Sequence, residues 1–140
     1  MSMPGKRIFT ISVVTVVAVA VIFGLVLIGS PAKERARRMD EKRVRDLSVN
    51  SMAVDRYWRL HNQKLPSSLN ALSNQPGMVI RLRDPETGRP YEYRILSNDK
   101  YELCAVFRYN TAQEQQAYFN SSWAHGAGKQ CFQRKVRGSR

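Results

Sequence analysis

The stretch Asp84 to Phe107, DPETGRPYEYRILSNDKYELCAVF, is the part of this 140-residue chain whose order dictates a fold. Asp84 and Pro85 suit the opening of a turn, because the carboxylate caps backbone N–H groups and the proline ring presets its own φ. Gly88 permits the positive φ that closes such a loop. Pro90 to Leu96 and Tyr101 to Phe107 are aromatic or branched enough for strands, and Ser97 to Lys100 between them reads as a hairpin turn. In the second run Tyr101, Leu103, Ala105 and Phe107 alternate with Glu102, Cys104 and Val106, the period of a half-buried strand.

Working outward, Met78 to Leu82 supplies a first strand ahead of the hairpin. Arg108 to Ser122 is polar and weakly patterned, which predicts a loop with one helical turn. Upstream, Ser30 and Pro31 suit the cap and first position of a helix running to about His61. Leu47, Asn50, Val54, Tyr57 and Trp58 recur on it at three- and four-residue steps and form a face for packing on a sheet. Asp40 to Arg45 reads as polar all round, which predicts a solvated stalk. Leu65 and Pro66 end the helical region, and Ser67 caps a short turn carrying Leu69 and Leu72.

Before this lie 21 uncharged residues, Ile8 to Ile28. A helix of that length spans about 30 Å, the thickness of a hydrocarbon core, and exceeds the core of a secretory signal. The division expected is a tail at 1–7, a transmembrane helix at 8–30, a stalk helix at 31–46, an α+β domain at 47–133 with the amphipathic helix packed on a small antiparallel sheet, and a fraying basic tail at 134–140. Ala20 and Gly24 form one small-residue pair through which a second helix, including another copy of the chain, can approach.

Asp84, Pro85, Gly88, Pro90, Tyr91 and Tyr93 resemble the hairpin motif of the major pseudopilins of type II secretion and of related type IV pilin-like proteins. Trp123, His125, Gly126, Gly128, Cys131 and Phe132 are similar to the closing strand of such domains. The resemblance covers the whole chain in outline and implies a membrane helix, a helical extension and a small sheet. It also implies a structural role in a secretion or pilus-like envelope assembly, with other envelope or pilin-like proteins as partners. The loop is longer by one residue than in the familiar secretion form, and Gln63 stands where the family usually has glycine. Gly5 is followed by Lys6 rather than phenylalanine, and no acidic residue precedes Glu34, so the chain lacks the family's cleavage site and its membrane glutamate. A standing anchor is therefore expected, in the inner membrane.

The formal charge is +12, and Lys6 and Arg7 account for two of these charges, leaving +10 for everything after the apolar run. Such a balance favours acidic surroundings without choosing between lipid, protein and nucleic acid. Seven basic residues between Lys33 and Arg45 would place the domain in the cytoplasm by the count of flanking charges. Cys104 and Cys131 argue the other way, because a disulfide, their simplest use, belongs outside the cytoplasm. Reduced thiols or a metal site with His125 are the alternatives. The expected orientation is N-terminus inside and domain outside.

No reactive constellation assembles from the sequence, so neither an enzyme nor a cofactor is expected. His61 sits at a helix end and His125 before a glycine-rich turn, Ser67, Ser68, Ser121 and Ser122 suit caps and turns, and Glu114 is the one acidic residue between Arg108 and Cys131, too few oxygens for calcium. The second functional reading is a DNA-binding envelope protein using Arg81, Arg83, Arg89 and Arg94 with Tyr91 and Tyr93 interleaved. In an alternating strand Tyr91, Tyr93 and Ile95 share one face and Arg94 the other, which makes the tyrosines core instead.

Overall fold

The computed structural model describes residues 5–28, 30–73, 75–77, 79–111 and 121–138. The chain has an α+β layout: a long apolar helix near the N-terminus, a second helix, and a three-stranded antiparallel sheet. Two compact units divide it, Met1–Arg35 and Ala36–Arg140.

In the first unit, helix α1 (Gly5–Ile28) is long and apolar enough to cross a membrane. Thr10, Ser12 and Thr15 donate their hydroxyls to the carbonyls of Lys6, Ile8 and Ile11 at 2.8, 3.0 and 2.9 Å. Each polar group that the apolar run carries is thus satisfied within the helix, as a hydrocarbon environment requires.

Helix α2 (Pro31–Leu60) begins at the proline, and the amides of Lys33 and Glu34 donate to the Ser30 carbonyl. It ends by a turn through Asn62 and Gln63, both left-handed with φ of 51° and 60°. Leu69–Leu72 forms a 3-10 turn whose two leucines are buried.

Strands β1 (Glu92–Ile95), β2 (Lys100–Phe107) and β3 (Gly128–Lys135) form a meander in the order β1-β2-β3. Ser97 donates its amide to the Lys100 carbonyl and its hydroxyl to Asp99, closing the expected hairpin turn. On the inner face Tyr101, Leu103, Ala105 and Phe107 pack with Leu47, Ala53 and Val54 of α2 and with Leu69, Leu72, Tyr91 and Trp123 in one core. Burial of these side chains from water is the main force holding helix to sheet. The outer face is charged: Lys129 pairs with Glu92 at 2.7 Å and Lys135 with Asp99 at 3.3 Å.

The disulfide joins Cys104 and Cys131, which stand directly opposite each other on β2 and β3 with Cα atoms 4.0 Å apart. It lies on the outer face, alternating with the core residues, so it clamps the sheet rather than filling the core.

Three expectations change. Residues 79–82 form no strand; their backbone is held instead by Tyr91, whose amide donates to the Leu82 carbonyl, and by Asn50, whose side chain donates to the Arg81 carbonyl. Residues 134–136 do not fray: Arg134 and Lys135 belong to β3, Val136 is buried, and its amide donates to the Asp99 carbonyl, while residues 139–140 of the expected tail lie outside the described residues. The guanidinium of Arg134 lies 3.9 Å over the Trp123 ring, a cation–π contact that fixes the strand end. The stretch Asp40 to Arg45 is not solvated all round, because Asp40 and Arg43 are buried. The expected helical turn after Arg108, and Glu114 with it, lies outside the described residues apart from the 3-10 turn Ser121–Trp123.

Reducing the disulfide opens a loop of 27 residues. The chain-entropy relation then gives a loss of about 3.5 kcal/mol. Urea unfolding of the full chain in detergent, with and without reductant, should show a lower midpoint on reduction, and Cys104→Ala/Cys131→Ala should match the reduced protein.

Candidate functional site

Ala36, Asp40, Arg43, Leu47, Asn50 and Val54 follow one another on α2 at steps of four and three, the spacing of a single helix face, and all six are buried. Three of them are polar, and each has a task. Arg43, 2% exposed, points its guanidinium into the Asp84–Gly88 loop. Its Nε and Nη2 donate to the two oxygens of Asp84, the latter at 3.2 Å, in the forked geometry that suits arginine and a carboxylate. Nη2 also donates to Glu86 and Nη1 to Asp40, both at 2.7 Å. Glu86 in turn pairs with Arg108 at 2.7 Å.

Each carboxylate has further donors. Asp84 Oδ1 accepts the amides of Glu86 and Thr87, both at 2.9 Å, while the Asp84 carbonyl accepts the amide of Gly88, whose φ of 69° closes the turn. Asp40 accepts the amides of Arg108 and Tyr109 at 3.0 and 2.9 Å. One buried cation thereby ties together α2, the loop ahead of β1 and the chain leaving β2. Burial pushes the Asp84 carboxyl up, but the Arg43 guanidinium and the Thr87 and Glu86 amides outweigh it and hold the pKa at about 2. Burial likewise works against the Arg43 charge, and the hydrogen bonds to Asp84, Glu86 and Asp40 overcome it and raise its pKa above the ordinary arginine value.

One turn further along α2, Asp46 accepts the Tyr91 hydroxyl at 2.9 Å. Burial raises the Asp46 carboxyl, with the Tyr91 hydrogen bond acting against it, and burial together with the Asp46 charge raises the Tyr91 phenol. Beside the network an open cleft of about 330 Å³ runs over Tyr91, Ala105 and Val106, with Arg89, Arg108, Lys129, Glu86 and Glu92 around it.

The hairpin motif therefore divides into a lock and a core. Asp84, Gly88 and Glu86 build the lock, Pro90 makes a bridge with Arg83, Tyr91 is buried, and Tyr93 is half-buried with its ring 5.8 Å from Tyr101. Pro85 is an exposed turn residue. Arg81, Arg83, Arg89 and Arg94 are exposed, but the two tyrosines between them turn into the core, so no aromatic of the motif is offered for stacking on a base. Arg83 donates to the Gly88 carbonyl at 3.1 Å and Arg94 lies 3.9 Å from Glu102 on the outer face.

Among the described residues, the contacts of both histidines are with aromatic rings and backbone carbonyls. His125 is buried, stacked on Phe107 at 3.7 Å, with Nδ1 in contact with the carbonyls of Tyr109 and Gly126. His61 stacks on Tyr57 and its Nδ1 lies 2.9 Å from the Tyr57 carbonyl. The one grouping of metal-type ligands among the described residues is Glu102 with the two cysteines. Both sulfurs are consumed by the disulfide, which leaves a single carboxylate.

Sequence reasoning missed Asp40, Arg43 and Asp46. The signal was available: the four-and-three spacing of Leu47, Asn50 and Val54 continues upstream through Arg43, Asp40 and Ala36. A reading that counts only apolar residues stops at Leu47.

Arg43→Met leaves Asp40 and Asp84 buried without their counter-charge and should lower stability by about 3–5 kcal/mol, read from chemical unfolding. The acid limb tests the same lock. A carboxyl whose folded pKa is depressed contributes stability that is present above its unfolded value near 4 and is lost as pH falls through its folded value of about 2. The wild-type chain should lose this stability across that interval, and Asp84→Asn, less stable at neutral pH, should lose less over the same range. An unchanged acid limb in Asp84→Asn would count against the lock.

Comparison of this chain with protein-family models, with curated proteins and with solved structures found no match.

Proposed function

We propose that this chain is a membrane-anchored structural and interaction protein of the cell envelope, an atypical pilin-like subunit or accessory of a secretion or pilus-like assembly. The observation that carries the reading is how the hairpin motif is used. Asp84 caps its own loop and receives Arg43, and Tyr91 and Tyr93 enter the core, so the residues behind the resemblance are spent on shaping a small domain. Gln63 adds a second point: its φ of 60° is a conformation that glycine, the residue the family usually has there, adopts without strain. Asp40, Arg43 and Asp84 are bonded to one another, to Glu86 and to backbone amides, all structural partners. The function then rests on exposed surfaces rather than on a reaction.

In this reading α1 stands in the inner membrane with the N-terminus inside, and the domain lies outside, where the cross-strand disulfide persists. Partners are other envelope or pilin-like proteins, together with copies of the chain that approach through Ala20 and Gly24. The DNA-binding alternative retains four exposed arginines but lacks the stacking platform, since Tyr91 is buried.

Thiol labelling in intact cells tests the orientation. Cys104 and Cys131 should resist maleimides until reduced, and then react with a membrane-impermeant reagent once the outer membrane is permeabilised. Free thiols reached only by a permeant reagent would reverse the orientation and remove the envelope role. Photo-crosslinkers at the exposed positions Val79 and Val106 should capture envelope proteins, and the absence of any adduct from several such sites would argue against an interaction module.

A further inference from the structure

The outer face of the sheet brings the two cysteines together with one acid. Cys104 of β2 stands directly opposite Cys131 of β3. Side chains alternate along a strand, so Glu102, two residues before Cys104, lies on the same face. Its carboxylate and the two sulfurs all lie within 4.8 Å of one another. The other acid beside the bridge, Glu92 on β1 opposite Cys104, is held by Lys129 at 2.7 Å. Glu102 has a looser partner in Arg94, at 3.9 Å.

The disulfide occupies this place, and its two halves differ in access. Cys104 is buried and Cys131 is exposed, so a dithiol reductant meets the bridge at Cys131. One thiolate of the reductant attacks the Cys131 sulfur to form a mixed disulfide, and Cys104 leaves as a thiolate. The second thiol of the reductant then closes its own disulfide and releases Cys131. Two cysteine thiols and one carboxylate remain side by side on two paired strands.

We propose that Cys104, Cys131 and Glu102 form a zinc site once the disulfide is reduced, so that one position clamps β2 to β3 in either redox state. Zinc accepts two thiolates and a carboxylate, with water in the fourth place of a tetrahedron, whereas calcium and magnesium require oxygen ligands throughout. With Zn–S bonds of about 2.3 Å the sulfurs part to roughly 3.8 Å, a separation that side-chain rotation supplies between facing residues of adjacent strands. Each zinc bound displaces the two thiol protons. Two thiolates and one carboxylate around a divalent cation leave a single negative charge, and Arg94 stands beside it as counter-ion. A small core gains from a staple, and the metal replaces the one that reduction removes. The proposal goes beyond the envelope reading and does not depend on it, since the site forms wherever a dithiol and zinc reach the domain.

The test uses the full chain in detergent, stripped of metal, reduced with a phosphine, and titrated with cobalt(II) and then zinc. The reduced wild-type chain should bind cobalt one to one with a thiolate-to-metal charge-transfer band, and zinc should displace it. The oxidised chain should show no such band. Zinc should also raise the urea midpoint of the reduced chain and leave that of the oxidised chain unchanged. The variant E102Q, which keeps both thiols, should bind zinc at least about tenfold more weakly, while E92Q should stay close to wild type. Equal affinity in E102Q and wild type, or one metal shared between two chains, would mean that thiols alone capture the metal and would overturn the site. Equal losses in E92Q and E102Q would overturn the assignment of Glu102. No binding by the reduced wild-type chain, or binding that leaves its urea midpoint unchanged, would overturn the clamp. An intact disulfide and unchanged near-ultraviolet dichroism in both variants before reduction establish that each is folded.

Discussion

The buried guanidinium of Arg43 is the interaction on which the arrangement of this domain depends. A cation taken out of water is costly unless every donor finds an acceptor, and here the acceptors come from three separate parts of the chain. Asp40 lies one turn back on the same helix, Asp84 and Glu86 lie in the loop ahead of β1, and the amides that complete Asp40 belong to Arg108 and Tyr109 beyond β2. Hydrophobic contact between helix and sheet tolerates sliding and rotation. A forked pairing of arginine with carboxylate does not, so the lock fixes the register of α2 against the hairpin. It also places the start of the compact domain at Ala36, the first residue of the buried face, more than a turn before the apolar residues begin.

The sheet meets a complementary constraint. Three strands cover one side of one helix, and each edge strand presents unpaired backbone groups. The inner face is apolar and continuous with the helix, while the outer face is given over to ion pairs and the disulfide. A cross-strand bridge at Cys104 and Cys131 holds β3 to β2 midway along their pairing, and Arg134 over Trp123 holds the strand near its far end. A small core that cannot secure an edge strand by burial alone is reinforced from the solvent side.

How much of this could be read beforehand depends on which rule governs each segment. The hairpin was legible because local chemistry decides it: Asp84 and Gly88 can do little but build a turn, and the alternation from Tyr101 to Phe107 has one sheet solution. The extent of α1 was legible from the absence of charge between Ile8 and Ile28. Residues 79–82 were not legible, because their branched composition resembles a strand while their backbone is claimed by the side chain of Asn50 and the amide of Tyr91, partners distant in sequence. The end of β3 was misread for a similar reason. A basic residue near a chain end looks solvated until a tryptophan eleven positions upstream offers its face. The buried charges of α2 were hidden by their chemistry, although their spacing marked them.

That last case bears on how basic residues beside a helix long and apolar enough to cross a membrane are counted. Between Lys33 and Arg45 the sequence offers seven cations, and a count treats them as one signal against an external domain. The helix sorts them by angle into different roles. Arg43 is neutralised in a buried network and belongs to the fold; Arg37 reaches Glu41; Arg38, Lys42 and Arg45 line the side turned away from the core. A tally along the sequence merges these roles because it has no angle in it, whereas the position of each residue around the helix separates charge buried in the fold from charge on the side turned away from the core.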